Sequence, residues 1–278
     1  MRLRLLLPLA ALLVATSAAH AAVRSKVVEY EAGGVPLQGY LAWDDAVKGK
    51  RPGVIVVHEW WGHNQHARNA ANRLASAGYV AFALDMFGKG RVTTHPDSAQ
   101  AFVADAMKDA DAIPTRFNAA LALLKADTHV DAARIGAIGY CFGGAVVLGM
   151  ARSGEDLKAV ATFHGALQTQ HPAEPGKVKA KLLIQAGGAD PMVPPEAVAA
   201  FDKEMKAAGA DYRIITYPGA KHSFTNPRAD SSGVPGLAYN AAADQKSWAE
   251  LLKFFKKDLS RALSGSPRAA PRGFRPRT

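Results

Sequence analysis

The sequence predicts an α/β protein in which a mainly parallel central sheet is covered by helices on both faces. Short apolar strands alternate with helical segments along most of the chain, as crossover connections require. The run Gly53-Val54-Ile55-Val56-Val57 is continuously apolar and mostly β-branched, as a strand buried on both faces must be. The chain has 278 residues, 49% of them apolar and 21% charged, which suits one domain with a sizeable core.

Each element has its own warrant. Lys26 to Glu31 and Pro36 to Trp43 alternate apolar and polar residues around Gly33-Gly34, which reads as an edge hairpin. After the strand ending at Val57 comes His58-Glu59-Trp60-Trp61-Gly62, then a helix over Asn64 to Ala77 with Ala67, Ala70, Ala71 and Leu74 on one side and Gly78 as its stop. Tyr79 to Leu84 is a second buried strand. Asp97 to Ala110 and Pro114 to Ala126 read as helices. Arg134 to Ile138 is a strand that runs into Gly139-Tyr140-Cys141-Phe142-Gly143-Gly144 and the small-residue helix from Ala145. Strands over Ala159 to His164, Leu182 to Ala186 and Tyr212 to Tyr217, and helices over Pro195 to Ala208 and Tyr239 to Leu259, complete the body. No internal repeat or interior linker divides it, so residues 23–263 are expected to form one domain.

The two ends read differently. Arg2 and Arg4, the apolar run Leu5 to Val14 and Ala19-His20-Ala21 have the order of a cleavable signal peptide over residues 1–22, and the apolar run is too short to span a bilayer. A periplasmic or secreted protein without stable membrane insertion is expected. Residues 264–278 form a Pro/Ser/Arg tail with no acidic residue, expected to be disordered. The net charge of +10 falls to +4 for the body once the two signal arginines and Arg268, Arg272, Arg275 and Arg277 are set aside. That leaves no electrostatic footprint for nucleic acid.

Glycines two before and two after Cys141 let the chain turn tightly from strand to helix and lift residue 141 onto a corner, the geometry of a nucleophile elbow. Cys141 is the single cysteine, so no intramolecular disulfide exists. The strand ending at Ala186 is followed by Gly187-Gly188-Ala189-Asp190-Pro191, and the strand ending at Tyr217 by a loop holding Lys221-His222-Ser223-Phe224. Functional groups of open α/β sheets gather at the carboxyl ends of strands. Nucleophile, acid and base therefore follow in the order Cys141, Asp190, His222. A thiol needs a base to become the reactive thiolate. His222 is the candidate base, oriented by Asp190.

Together, the Cys141 elbow, Glu59 after the Gly53 to Val57 strand, Gly188-Ala189-Asp190 and His222-Ser223-Phe224 resemble the dienelactone hydrolase family of the α/β-hydrolase fold, over about Lys26 to Leu259. The resemblance implies a cysteine hydrolase of a small-molecule ester or lactone that acts through an acyl-thioenzyme, with no metal or organic cofactor. It further implies that Glu59 keeps the resting thiol quiet until substrate displaces it, a negative charge beside a thiol disfavouring the thiolate. The N–H groups of Trp60 and Phe142 would form the oxyanion hole. Trp61 would either wall an apolar pocket with Trp60 or pack in the core, Phe87 would support an apolar substrate group, and His164 reads as a structural histidine. The arginines with which the best-known members bind a substrate carboxylate are replaced here by Lys89 and Asn226, with Arg91 and Arg228 out of register. Neutral substrates are therefore expected. A metal site from His58, His63 and His66 lacks an acidic partner beyond Glu59. The other reading is a non-catalytic envelope binding protein or thiol redox sensor on the same fold. A monomer is expected.

Overall fold

The computed structural model describes residues 23–259. The segment expected to be a signal peptide lies outside them, as does the expected tail. Eight strands form one sheet in the order β1-β2-β4-β3-β5-β6-β7-β8. The hairpin β1 (Val23–Ala32) and β2 (Val35–Asp44) is antiparallel, and β2 runs antiparallel to β4 (Val80–Ala83). Gly33 and Gly34 both take positive φ, at 58° and 74°, which a tight two-residue hairpin needs. From β4 onward every pairing is parallel: β3 (Arg51–Val57), β5 (Val130–Tyr140), β6 (Ala159–Phe163), β7 (Lys181–Gly187) and β8 (Tyr212–Tyr217). The parallel strands therefore end together, on the edge where the chemistry-bearing loops emerge.

Two apolar layers flank the sheet, and β3 shows how the sequence divides between them. Ile55 and Val57 enter one layer while Val54 and Val56 enter the other, because successive strand side chains point to opposite faces. The first layer is covered by α2 (Pro96–Met107), α3 (Ala112–Ala126), α4 (Phe142–Arg152) and α5 (Pro195–Ala208). The second is covered by α1 (Gln65–Ser76) and α6 (Ala241–Asp258). Ala67, Ala70, Ala71 and Leu74 of α1 all face inward. Asn64 caps α1 by accepting the His66 N–H at 3.0 Å, and Gly78 (φ 90°) follows its end.

The α/β expectation holds throughout, with element ends shifted by a few residues. The main difference is β5, which begins at Val130 rather than Arg134. It includes an irregularity opposite Pro52 and Gly53, where the pairing jumps from Asp131 to Ile135. Of the extra residues, Val130 joins the core, whereas Asp131, Ala132 and Ala133 show no apolar run of the β-branched kind.

Candidate active site

Strand β5 enters the elbow at Tyr140, and α4 leaves it at Phe142. Cys141 sits between them at φ 53°, ψ −115°, a conformation that side-chain-bearing residues avoid and that costs about 1–3 kcal/mol. The flanking glycines explain how it is tolerated. A Cβ on Gly139 would lie 2.0 Å from the Gly143 carbonyl oxygen, and one on Gly143 would lie 2.4 Å from the Val57 carbonyl oxygen. A Cβ on Gly144 would meet the Cα of Gly165 at 2.5 Å. The Gly143 N–H donates to the His58 carbonyl at 3.1 Å, so the end of β3 is stacked directly on the elbow. Cys141 itself remains partly exposed.

Asp190 follows β7 and is buried. Its Oδ1 accepts the N–H groups of Met192 (2.8 Å) and Val193 (3.2 Å), which leaves Oδ2 aimed at the His222 Nδ1, 2.8 Å away. The opposite ring nitrogen, Nε2, is buried with no hydrogen-bond partner, and the ring lies close enough to Cys141 to be influenced by it. Burial works against charge on the His222 imidazole. The neighbouring Cys141 and the hydrogen bond to Asp190 outweigh it and carry the ring up to about 10. Thiol, imidazole and carboxylate, from three loops, thus stand in sequence. Such a row can move a proton off sulfur while the carboxylate steadies the resulting imidazolium.

Glu59 follows β3 and is 2% exposed. Its Oε1 accepts the Ser223 hydroxyl at 2.7 Å and its Oε2 accepts the Asn226 side-chain N–H at 2.6 Å. The Nδ1 of His66 lies 3.6 Å from the same Oε2. The N–H groups of Trp60 and Phe142 donate to no protein acceptor among the described residues. His164 is fully buried, with Nε2 2.9 Å from the Thr225 hydroxyl and its ring 5.1 Å from that of His222. Burial, then the nearby His222 and His66, hold it well below the usual histidine range. It packs behind the base, in keeping with a structural role.

Two expected substrate contacts need correction, and a third is shared with Glu59. Phe87 is fully buried, its ring 4.8 Å from that of His58 and 5.2 Å from that of Phe142, so it is core and presents nothing to a ligand. Lys89 reaches back to Glu29 on β1, 2.7 Å away, drawn by the nearest exposed carboxylate rather than by the site. Asn226 donates its amide N–H to the buried carboxylate of Glu59 and also borders a cavity. Trp61 packs against Trp60, Ala99, Ala229 and Leu237, and also lines a cavity of about 280 Å³ with His66, Asn226 and Arg228. Arg91 is bound to Asp105 at 2.6 Å and stacks over Phe102, whereas Arg228 is exposed on that cavity.

Sequence reasoning missed the partners of Glu59. Ser223 lies 164 positions away in the chain, and only its place beside His222 hinted at a role. The three histidines once weighed as metal ligands go separate ways. His58 Nδ1 donates to the Glu59 carbonyl and its Nε2 accepts the Met86 N–H; His63 is pushed down to about 3 by burial; His66 turns to the carbonyl of Thr225.

The model of the dienelactone hydrolase family matches residues 37–259. The chain belongs to the dienelactone hydrolase family. It is a hydrolase of that family, as the motifs predicted. It is 30% identical over 241 residues to Protein usf of Aquifex pyrophilus, covering 84% of this chain and 99% of that one. A protein of Aquifex aeolicus, provisionally named a carboxymethylenebutenolidase, is 29% identical over 84% of this chain and 99% of its own length. Among solved structures, a dienelactone hydrolase-like promiscuous phosphotriesterase from metagenomic libraries is 37% identical, with a TM-score of 0.81 over 85% of this chain and 99% of that one. These likenesses agree with the carboxylic ester or lactone hydrolase expected of this family.

Proposed function

We propose that the protein hydrolyses a neutral carboxylic ester or lactone through an acyl-thioenzyme, with Cys141 as nucleophile, His222 as base and Asp190 as the group that orients it. The observation that carries this reading is the alignment of His222 between Asp190, at 2.8 Å, and the thiol. His222 takes the thiol proton, sulfur attacks the carbonyl carbon, and the tetrahedral oxygen is received by the N–H groups of Trp60 and Phe142. Collapse expels the alcohol, which leaves with the proton from His222. A water activated by the same imidazole then releases the acid and restores the thiol.

Two charges compete for the resting state of Cys141. The imidazolium favours a thiolate; the carboxylate of Glu59, on the segment stacked against the elbow, opposes one. Alkylation of Cys141 that is slow near neutral pH in the wild type and faster in Glu59→Gln supports that brake, and equal rates remove it from the mechanism.

The neutral substrate follows from the placement of cations. Neither Lys89 nor Asn226 offers a fork for a carboxylate, and Arg91 is already paired. The test is kcat/KM for a neutral lactone and its carboxylated analogue. A tenfold preference for the acid, about 1.4 kcal/mol, defeats the neutral assignment and directs attention to Arg228. A phosphotriester belongs in the same panel, because the metagenomic relative carries that activity in its name.

The protein is further proposed to be exported, on the basic, apolar and small-residue order of residues 1–22. An envelope fraction containing a chain that begins near Val23 supports this, and a cytosolic chain with Met1 intact refutes it.

A further inference from the structure

We infer that His66 is a positively charged positioning residue whose proton, held on Nδ1 against Glu59, keeps that buried carboxylate ionised in the resting site. The inference about charge stands on geometry alone; its effect on Cys141 rests on the proposed role of Glu59.

The His66 Nε2 lies 3.2 Å from the Thr225 carbonyl oxygen, and a carbonyl only accepts, so Nε2 carries a hydrogen. That fixes the neutral form of the ring as the one with a bare lone pair on Nδ1. This nitrogen is buried, has no hydrogen-bond partner, and stands 3.6 Å from Oε2 of Glu59. A neutral ring would set a lone pair against a carboxylate oxygen. Protonation replaces that repulsion with an ion pair.

Glu59 supplies the second half. Its side chain is 1% exposed, and its two partners with full hydrogen bonds, Ser223 and Asn226, are neutral. No Lys or Arg pairs with it among the described residues. A buried carboxylate without a cation is costly, and His66 is the one basic side chain placed to supply the charge. The surroundings of the ring are consistent with this. From β5, Tyr140 presents an aromatic ring 4.8 Å away at 73°, and from the end of β6 comes the buried His164, held below the usual histidine range chiefly by burial. From the loop after β8 come the Thr225 carbonyl and Asn226, and Arg228 lines the cavity that His66 also borders. Glu59 is thus the anionic group facing a ring whose other charged or titratable neighbours include Tyr140, His164 and Arg228.

The consequence is a division of labour. Ser223 and Asn226 orient the carboxylate, while His66 keeps it charged. His66 touches neither thiol nor substrate and acts on Cys141 only through Glu59.

The test is long-range ¹H–¹⁵N correlation of the histidine rings in the ¹⁵N-labelled mature protein at pH 7, with His66→Gln used for assignment. Wild type is expected to show both His66 nitrogens protonated. In Glu59→Gln, Nδ1 is expected to move to the position of a bare ring nitrogen while Nε2 stays protonated. A neutral His66 in the wild type overturns the inference. Because His66→Gln also risks the Thr225 contact, Cys141 alkylation is compared for this change alone and in the Glu59→Gln background. Faster alkylation in the single variant with no further change in the double variant supports action through Glu59; equal changes in both backgrounds overturn it. If His66 is charged yet Glu59→Gln alkylates at the wild-type rate, the ion pair stands and the brake on the thiol is what fails.

Discussion

Cys141, His222 and Asp190 act as a unit in the proposed chemistry, so their single losses should not add. Cys141→Ala and His222→Ala are each expected to lower kcat by on the order of 10⁴-fold or more, and the double variant by little more than either. Steady-state assay of the three proteins checks this; additive losses would separate the residues. The strain at Cys141 allows a second test. Glycine accepts positive φ freely, so Cys141→Gly should be about 1 kcal/mol more stable than Cys141→Ala in denaturant unfolding, the reverse of the order at an ordinary helix position.

His222 also sets a pH dependence. Its folded value of about 10 lies above the ordinary 6.5, so the stabilisation from its protonation is whole below pH 6.5 and is lost as pH rises through 10. Interaction with Cys141 is one of the causes that raise it. In Cys141→Ala the ring should therefore titrate at lower pH, and the alkaline loss of stability should begin earlier. A histidine titration by NMR that is unchanged in the variant would contradict this coupling.

At the scale of elements, the glycines of α4 divide into two kinds. Gly143 and Gly144 are required by backbone contacts, whereas a Cβ on Gly149 would meet nothing within 4 Å. Gly149→Ala is accordingly expected to raise stability by about 0.5–1 kcal/mol through helix propensity. Gly144→Ala should destabilise, since Gly165 must move; thermal unfolding of the pair checks both signs. The same scale shows what the sequence could disclose. Local patterns marked the strands, the helices and the elbow, because strand alternation, helix stops and glycine punctuation are written in neighbouring residues. Phe87 and Lys89 were misplaced because a side chain's direction at a strand end depends on which neighbour it meets. For Phe87 the neighbours are His58 and Phe142, and for Lys89 it is Glu29.

For the whole molecule, order along the chain proved informative about the site. Cys141, Asp190 and His222 follow three parallel strands, and a parallel sheet brings such strand ends together, so the shared neighbourhood of these loops was legible from their order in the chain. The surroundings of Glu59 were not. They join residues 59, 66, 223 and 226 from three segments, and hydrogen bonds of that range leave no local pattern. Among the described residues no helix is long and apolar enough to cross a membrane. Since the family match ends at residue 259, removing residues 264–278 is expected to leave kcat/KM unchanged. A fall on truncation would give the basic tail a part in catalysis.

The loop after β8 carries more than the base. His222 turns to Asp190, Ser223 and Asn226 hold Glu59, and Thr225 receives His66 and His164. Five consecutive residues therefore form a unit of inheritance. In chimaeras between this chain and a relative, a crossover inside 222–226 would pair one parent's base with the other parent's grip on the acid. Crossovers placed before Pro218 or after Asn240 would pass the set on whole, and active recombinants should accumulate there.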